Sequence, residues 1–183
     1  MALGYKINKL LAATALILCL SSLSVAADEP IKTSFAWGAD AGGSIDLSGN
    51  DMSSADLSAS FGFKRGWINF LGLGAEIDIM LNNYARSFPC YLSFKTNFHN
   101  RPTLLFLDLR AGISANYLPN DYQQTGSYAF VGLGINLARG KSFSSHLVIG
   151  YSYKEYRDIV TREEETFPMK DVHSATIKLG ITF

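Results

Sequence analysis

The chain has 183 residues, of which 16 are basic and 16 acidic, and 48% of its residues are apolar. Charged residues make up 17% of the chain, against about 25% in ordinary soluble domains, and aromatic residues reach 13%. Without a basic excess the chain has no electrostatic footprint for nucleic acid, which excludes that class of partner. The composition also argues against an ordinary water-facing globule.

The first 27 residues have the three parts of a cleavable export signal. Lys6 and Lys9 supply positive charge, residues 10–20 form an apolar run of eleven, and residues 25–27 offer small side chains for cleavage. Such a run is too short to cross a bilayer of about 30 Å as a helix, which argues against a retained anchor. We therefore expect residues 1–27 to be removed. Residues 28–183 then form one domain with 14 basic and 16 acidic residues, a formal charge of −2.

Period-two alternation of apolar and polar residues recurs eight times in residues 28–183. Strands with two different faces produce this pattern, and the absence of any run of 18 apolar residues excludes transmembrane helices. The predicted strands cover residues 34–47, 56–64, 71–79, 90–98, 105–114, 128–136, 146–154 and 174–183. Segments of about ten residues suit tilted strands that cross a membrane.

The predicted connections alternate in length. The short ones follow the second, fourth and sixth strands, at residues 64–66, 99–102 and 139–141. The longer, polar ones follow the first, third, fifth and seventh strands, at residues 48–55, 82–89, 118–127 and 156–171. This alternation is typical of a meander with tight turns at one rim and elaborated loops at the other. The sequence therefore predicts an all-β fold, an eight-stranded antiparallel up-and-down barrel.

Alternation alone leaves open which face of the barrel is apolar. A soluble, lipocalin-like barrel turns its apolar face inward, whereas a transmembrane barrel turns it toward lipid. Glycines and charges of mixed sign on the polar face favour the transmembrane orientation, as do aromatic residues at both ends of the apolar band. The aromatic residues near the tight turns are Phe35, Trp37, Phe63, Trp67, Phe98, Phe143 and Phe183, and those near the loops are Tyr84, Tyr117, Tyr122, Tyr151, Tyr153 and Tyr156.

Seven charged residues on the polar face form the candidate lumen site. Buried charges are tolerated when opposite charges pair, and an eight-stranded barrel leaves little space beyond its own side chains. We therefore expect a paired charge network that plugs the lumen. Its members are Glu76, Asp78, Lys95, Asp108, Arg110, Lys154 and Lys178.

The export signal, the eight strands and the last strand together resemble the small eight-stranded outer-membrane β-barrel family, which contains OmpX-like proteins and the OmpA transmembrane domain. Residues 175–183 alternate and end on the aromatic Phe183, as the assembly signal of that family does. The resemblance implies a Gram-negative outer membrane as the location, outer-membrane lipids as surroundings, and recognition of Phe183 by the barrel assembly machinery. It spans residues 28–183 and carries no function-specific motif.

Patterns for catalysis or ligand binding are weak. His146 and His173 each adjoin a serine, but neighbouring strand residues point to opposite faces and cannot act together as nucleophile and base. The Gly-Leu-Gly segments at 72–74 and 132–134 lie inside predicted strands, whereas a nucleotide-binding turn opens a helix. The histidines show no metal-ligand spacing. We expect no catalytic, cofactor-binding or metal-binding residue.

Three functions remain. The leading one is a structural or surface-interaction barrel that meets an extracellular partner through its loops, the longest of which, 156–171, has eight charged residues. The second is a small porin-like channel, whose lumen charges would be hydrated. The third is a lipid-modifying barrel enzyme, but the His-x-Ser spacing of the lipid A deacylase barrels is absent. We therefore expect the protein not to be an enzyme.

The export signal, the aromatic groups and Phe183 together predict where the protein resides. We expect it to fractionate with the outer membrane and to migrate differently on gels before and after heating. Removing Phe183 should impair assembly, because the resemblance assigns the assembly signal to that residue. Membrane fractionation followed by electrophoresis checks both expectations, and recovery of a soluble periplasmic monomer would contradict them.

Overall fold

A computed structural model describes residues 33–82, 84–98, 104–118, 122–140, 143–156, 159–160, 166–167 and 171–183. The eight long strands are β1 (Thr33–Asp46), β2 (Ser54–Arg65), β3 (Ile68–Met80), β4 (Arg86–Asn97), β5 (Leu105–Leu118), β6 (Tyr122–Arg139), β7 (Ser144–Lys154) and β10 (Val172–Thr182). In the sequence, two short strands follow β7 and precede β10. They are β8 (Ile159–Val160) and β9 (Thr166–Phe167), and they pair with each other. The described residues contain no helix long and apolar enough to cross a membrane.

The eight long strands close into a barrel in the order β1-β10-β7-β6-β5-β4-β3-β2, and every neighbouring pair is antiparallel. The closing pair is β1 with β10, where Gly38 lies opposite Thr182. Each long strand therefore has two hydrogen-bonded neighbours. Closure removes free strand edges, which a sheet in hydrocarbon needs because lipid supplies no partner for backbone groups. The predicted eight-stranded up-and-down barrel is confirmed, while the proposed cleavage after residue 27 lies outside the described residues.

Side chains alternate between the two faces of the wall, with the apolar face outward. In β3, Leu73 and Ile77 point outward, and Leu73 is 69% exposed. Their neighbours Glu76 and Asp78 point into the barrel and are buried. A soluble barrel has the opposite arrangement, so the inverted orientation predicted from the charges and glycines is confirmed.

Exposed aromatic side chains mark both ends of the barrel. We call the end with the β2–β3, β4–β5 and β6–β7 connections the turn rim, and the opposite end the loop rim. Exposed rings at the turn rim are Phe35, Trp37, Phe63, Phe98, Phe143 and Phe183, and those at the loop rim are Tyr84, Tyr117 and Tyr151. The assignment of Tyr156 to the outer group is wrong: only 4% exposed, it points into the barrel among apolar side chains. The side chain of Tyr122 lies outside the described residues.

The predicted alternation of short and long connections is wrong in detail. β5 and β6 stay paired out to Leu118 opposite Tyr122, so their loop-rim connection is residues 119–121 rather than 118–127. The β4–β5 connection at the turn rim is longer, at residues 98–104. Polar residues such as Gln123 and Gln124 continue the strand because ladder hydrogen bonds join backbone groups, whatever the side chains are.

The 156–171 segment, predicted as loop throughout, contains the small β8–β9 hairpin. Ile159 pairs with Phe167 and Val160 with Thr166. β-Branched and aromatic residues favour strands, but a two-residue strand is too short to show alternation. The periodicity that reveals the eight long strands therefore could not reveal this pair.

Charged substitutions test which face meets hydrocarbon. Ile149→Arg places a charge on the outward face in the middle of β7 and should cost about 2–4 kcal/mol of stability. Gln123→Arg adds the same side chain to the outward face at the loop rim and should cost about 0–1 kcal/mol. Urea unfolding of the protein refolded into lipid vesicles measures both costs. Equal costs would mean that the outward face does not meet hydrocarbon.

Candidate functional site

Arg110 of β5 lies at the centre of a charge network in the lumen. Its Nη2 atom lies 2.7 Å from Asp40 Oδ2 and 2.9 Å from Asp108 Oδ2, and its Nη1 atom lies 3.4 Å from Glu76 Oε2. Arg110 is 2% exposed, and these three carboxylates are equally buried. The planar guanidinium offers several donors in fixed directions, which allows one cation to bind acids from β1, β3 and β5.

Three lysines complete the network. Lys178 Nζ lies 2.5 Å from Glu76 Oε1, and Lys154 Nζ lies 2.6 Å from Asp78 Oδ2. Lys95 Nζ lies 3.6 Å from an Asp40 oxygen and 3.7 Å from an Asp108 oxygen. The structure thus brings all seven residues named from the sequence into the lumen, each within 4 Å of an opposite charge.

Three further titratable residues belong to the network but were not among the seven. Asp40 binds Arg110, and His146 Nε2 lies 2.8 Å from Asp40 Oδ1 and 3.2 Å from Lys95 Nζ. Asp56 accepts hydrogen bonds of 2.5 Å from the hydroxyls of Ser44 and Ser54. All three alternate on the inward face of their strands, so the same period-two signal could have found them.

The described lumen charges are nearly balanced, with five carboxylates against four permanent cations and one histidine. Asp56, Glu76 and Asp78 each bring one carboxylate oxygen within 4.8 Å of the other two, a donor set that hard cations prefer. However, Lys154 and Lys178 already bind Asp78 and Glu76. We therefore interpret these three acids as part of the ion-pair network.

A layer of buried aromatic residues packs against the charges. The cluster consists of Tyr91, Phe106, Tyr128, Phe130 and Val148. The Arg110 guanidinium lies 5.3 Å from the centre of the Tyr91 ring and 5.2 Å from that of Phe130, and Lys178 Nζ lies 5.5 Å from the latter. Cation–π attraction adds to the ion pairs in such a buried site. The Tyr91 hydroxyl also accepts a 3.0 Å hydrogen bond from Arg110.

Glycines provide the space that these side chains occupy. A Cβ atom on Gly74 would overlap the Tyr91 ring, and one on Gly134 would overlap the Phe106 ring. A Cβ on Gly180 would collide with the Asp40 carboxylate, and the same Cβ would lie 2.6 Å from His146 Nε2. The glycines on the polar face thus fit the rings and ion pairs of a crowded lumen, as the sequence suggested.

An apolar layer lies at the loop-rim end of the lumen. It consists of the buried side chains of Met52, Met80, Ala85, Leu118, Tyr156 and Val172. These residues stand at or next to strand ends, so the layer lies between the charge network and the loops. Burial raises the pKa of the Tyr156 phenol to about 12.

The structure separates each described histidine from its neighbouring serine. His146 points into the lumen, and Ser145 lies on the other face of β7. His173 lies against the outward Tyr153, with ring centres 5.4 Å apart, and its Nδ1 is hydrogen-bonded to the hydroxyl of Tyr151. Neither arrangement pairs a serine nucleophile with a base. His99 lies outside the described residues.

Comparison with known proteins supports the fold. No family model and no curated protein matches the chain. The structure is similar to the crystal structure of the N-terminal β-barrel domain of Pseudomonas aeruginosa OprF, with 12% sequence identity and a TM-score of 0.52. The similarity covers 83% of this chain and all of that chain. The chain therefore has the fold of an eight-stranded outer-membrane-type β-barrel.

Removal of the central cation tests how strongly the network holds the barrel together. Arg110→Ala should lower the free energy of unfolding by about 3–5 kcal/mol, because Asp40 and Asp108 would lose their nearest cation while still buried. Arg65→Ala removes an exposed arginine at the turn rim and should change stability little. Urea unfolding of the two refolded variants gives both values. Similar stability of the two would show that water solvates the lumen carboxylates.

Proposed function

We propose that this chain is an outer-membrane barrel whose lumen is closed by its own side chains. The observation that carries the proposal is the buried ion-pair network, in which Arg110 joins Asp40, Glu76 and Asp108 across the barrel. Charges that pair directly and are shielded from water fill space and stabilise the wall. A conducting pore instead needs charges that face open water, so the network favours a plugged barrel over a small porin-like channel.

The outward face supports the membrane location. Apolar residues such as Leu73 and Ile149 form a band between the exposed aromatic rings of the two rims. Such girdles lie at the two interfaces of a bilayer in transmembrane barrels. The fold similarity to the OprF barrel domain agrees with the proposed membrane location. In the proposal the outer-membrane lipids surround the band, and the barrel assembly machinery recognises the strand that ends at Phe183.

A structural or surface-interaction role is the best-supported activity. A plugged lumen would leave no route for a solute, and His146 is bound to Asp40 and Lys95 inside the network, which does not favour a catalytic role for it. What remains open to a partner is the loop rim, where the 156–171 segment has eight charged residues and the β8–β9 hairpin. We propose that any extracellular partner is met there.

Conductance of the refolded protein in a planar bilayer tests the plugged lumen. We expect no stable, large, ion-selective channels, because the lumen charges are paired and the aromatic and apolar layers lie beside them. A general porin inserted into the same bilayer is the positive control, and heat-modifiable gel migration shows that the tested protein is folded. Stable ion-selective channels from the folded protein would instead establish the porin-like function.

A further inference from the structure

A groove opens on the outside of the barrel at the loop rim, where β4 begins and β5 ends. Its lining comprises Tyr84, the outward-facing residues Arg86, Phe88 and Tyr117, and Leu118, whose side chain is buried in the apolar layer of the lumen. Arg86 lies directly opposite Tyr117 in the β4–β5 ladder, and Phe88 is the next outward residue of β4. The groove therefore joins the polar rim above to the apolar band below.

Arg86 is a cation with apolar and aromatic ladder neighbours and no ion-pair partner among the residues that the structure describes. It is exposed, and among the outward-facing strand residues described in the loop-rim half of the barrel it is the only lysine or arginine. Its ladder partners are Ile79 of β3 and Tyr117 of β5. No ion pair joins Arg86 to an acid in the described part of the chain. Near the interface an outward-facing arginine costs only about 0–1 kcal/mol, so Arg86 can stand at headgroup level, where it can meet an anion.

Aromatic rings form the walls of the groove. The rings of Phe88 and Tyr117 pack edge to face with centres 5.5 Å apart. Tyr84 is 94% exposed and has a left-handed backbone, with φ of 56°. That conformation is unfavourable for a bulky residue, and such positions concentrate at ligand-binding sites. Amphipathic rings of this kind are typical of the interface between headgroups and acyl chains.

We infer that this groove binds a phosphorylated membrane lipid, with a phosphate on the Arg86 guanidinium and acyl chains on the apolar wall beneath it. The inference rests on the proposed outer-membrane location. The guanidinium fork matches phosphate oxygens in two parallel hydrogen bonds. The wall below presents the exposed side chains of Leu92 and Ile113. This continuity with the apolar band favours a lipid over free phosphate, which would use only the arginine.

Binding to defined lipids in detergent tests the inference independently of where the protein resides in the cell. The probes are lipid A, dephosphorylated lipid A and inorganic phosphate, added to refolded, delipidated protein. We expect wild type to bind lipid A in preference to both other probes. Arg86→Ala should raise the Kd for lipid A about tenfold, the loss expected for a charge-assisted contact.

Matched variants separate the site from general effects. Arg65→Ala removes an exposed arginine at the opposite rim and should leave the Kd unchanged, while Arg86→Lys should recover only part of the affinity because an ammonium lacks the planar fork. Heat-modifiable migration shows that each variant is folded, and Arg86→Gln serves if the alanine variant is not. Equal affinity of wild type and folded Arg86→Ala for lipid A would overturn the inference. So would wild-type protein that binds dephosphorylated lipid A, or inorganic phosphate, as tightly as it binds lipid A. Failed membrane fractionation would instead count against the proposed location.

Discussion

Arg110 imposes the tightest geometric requirement in this barrel, because one buried guanidinium contacts acids from three strands. Asp40, Glu76 and Asp108 must all reach it at the same depth of the lumen. A slip of one residue in any of these strands would turn its acid toward lipid and bring an apolar side chain inside. The ion pairs thus stabilise one register of the wall over its neighbours. Because of the ion pairs of Arg110, the packing of the lumen and the pairing of the strands depend on each other.

Charged, aromatic and apolar side chains and glycines share the interior of the barrel, and each kind has its own physical role. The ion pairs offset charges that the wall presents, and the aromatic cluster around Phe130 packs beside the cations of Arg110 and Lys178 and attracts them. The apolar layer with Met80 and Tyr156 lies between this region and the loops. Glycines such as Gly134 and Gly180 leave room for the larger groups. The polar face of the barrel is therefore lined by buried side chains, with charges in place of part of the apolar core of a soluble domain.

Much of the wall was predictable because the side-chain period of a strand is two wherever the strand lies. That period places Glu76, Asp78 and Arg110 on one face without knowledge of any neighbour. The contacts between them were not predictable, since the stagger between strands decides which acid meets which base. Asp40 shows how far the sequence pattern reaches. The alternation in β1 predicts that its side chain points inward, but its role depends on Arg110, 70 residues further along the chain.

The remaining errors have similar physical causes. Because tyrosine is common at membrane interfaces, the sequence predicts Tyr156 in the outer aromatic group, yet its position just after β7 turns the ring into the lumen. The polar character of residues 122–127 predicts a loop, yet backbone pairing with β5 continues through them. Composition reports the environment of a side chain, and it does not report where a hydrogen-bonded ladder stops.

The seam between β1 and β10 has a consequence for how the barrel is built. Every other pair of neighbouring long strands follows in sequence, apart from the β8–β9 insertion, whereas Gly38 and Thr182 are separated by almost the whole length of chain that forms the barrel. Closing so large a loop carries the greatest entropic cost, and long-range pairing is slow. We therefore infer that the seam forms last, after the hairpins. Trp37 and Phe183 meet at this seam, where their rings stack with centres 4.3 Å apart and backbone hydrogen bonds link the two residues. This contact therefore stabilises the pair of strands that forms last.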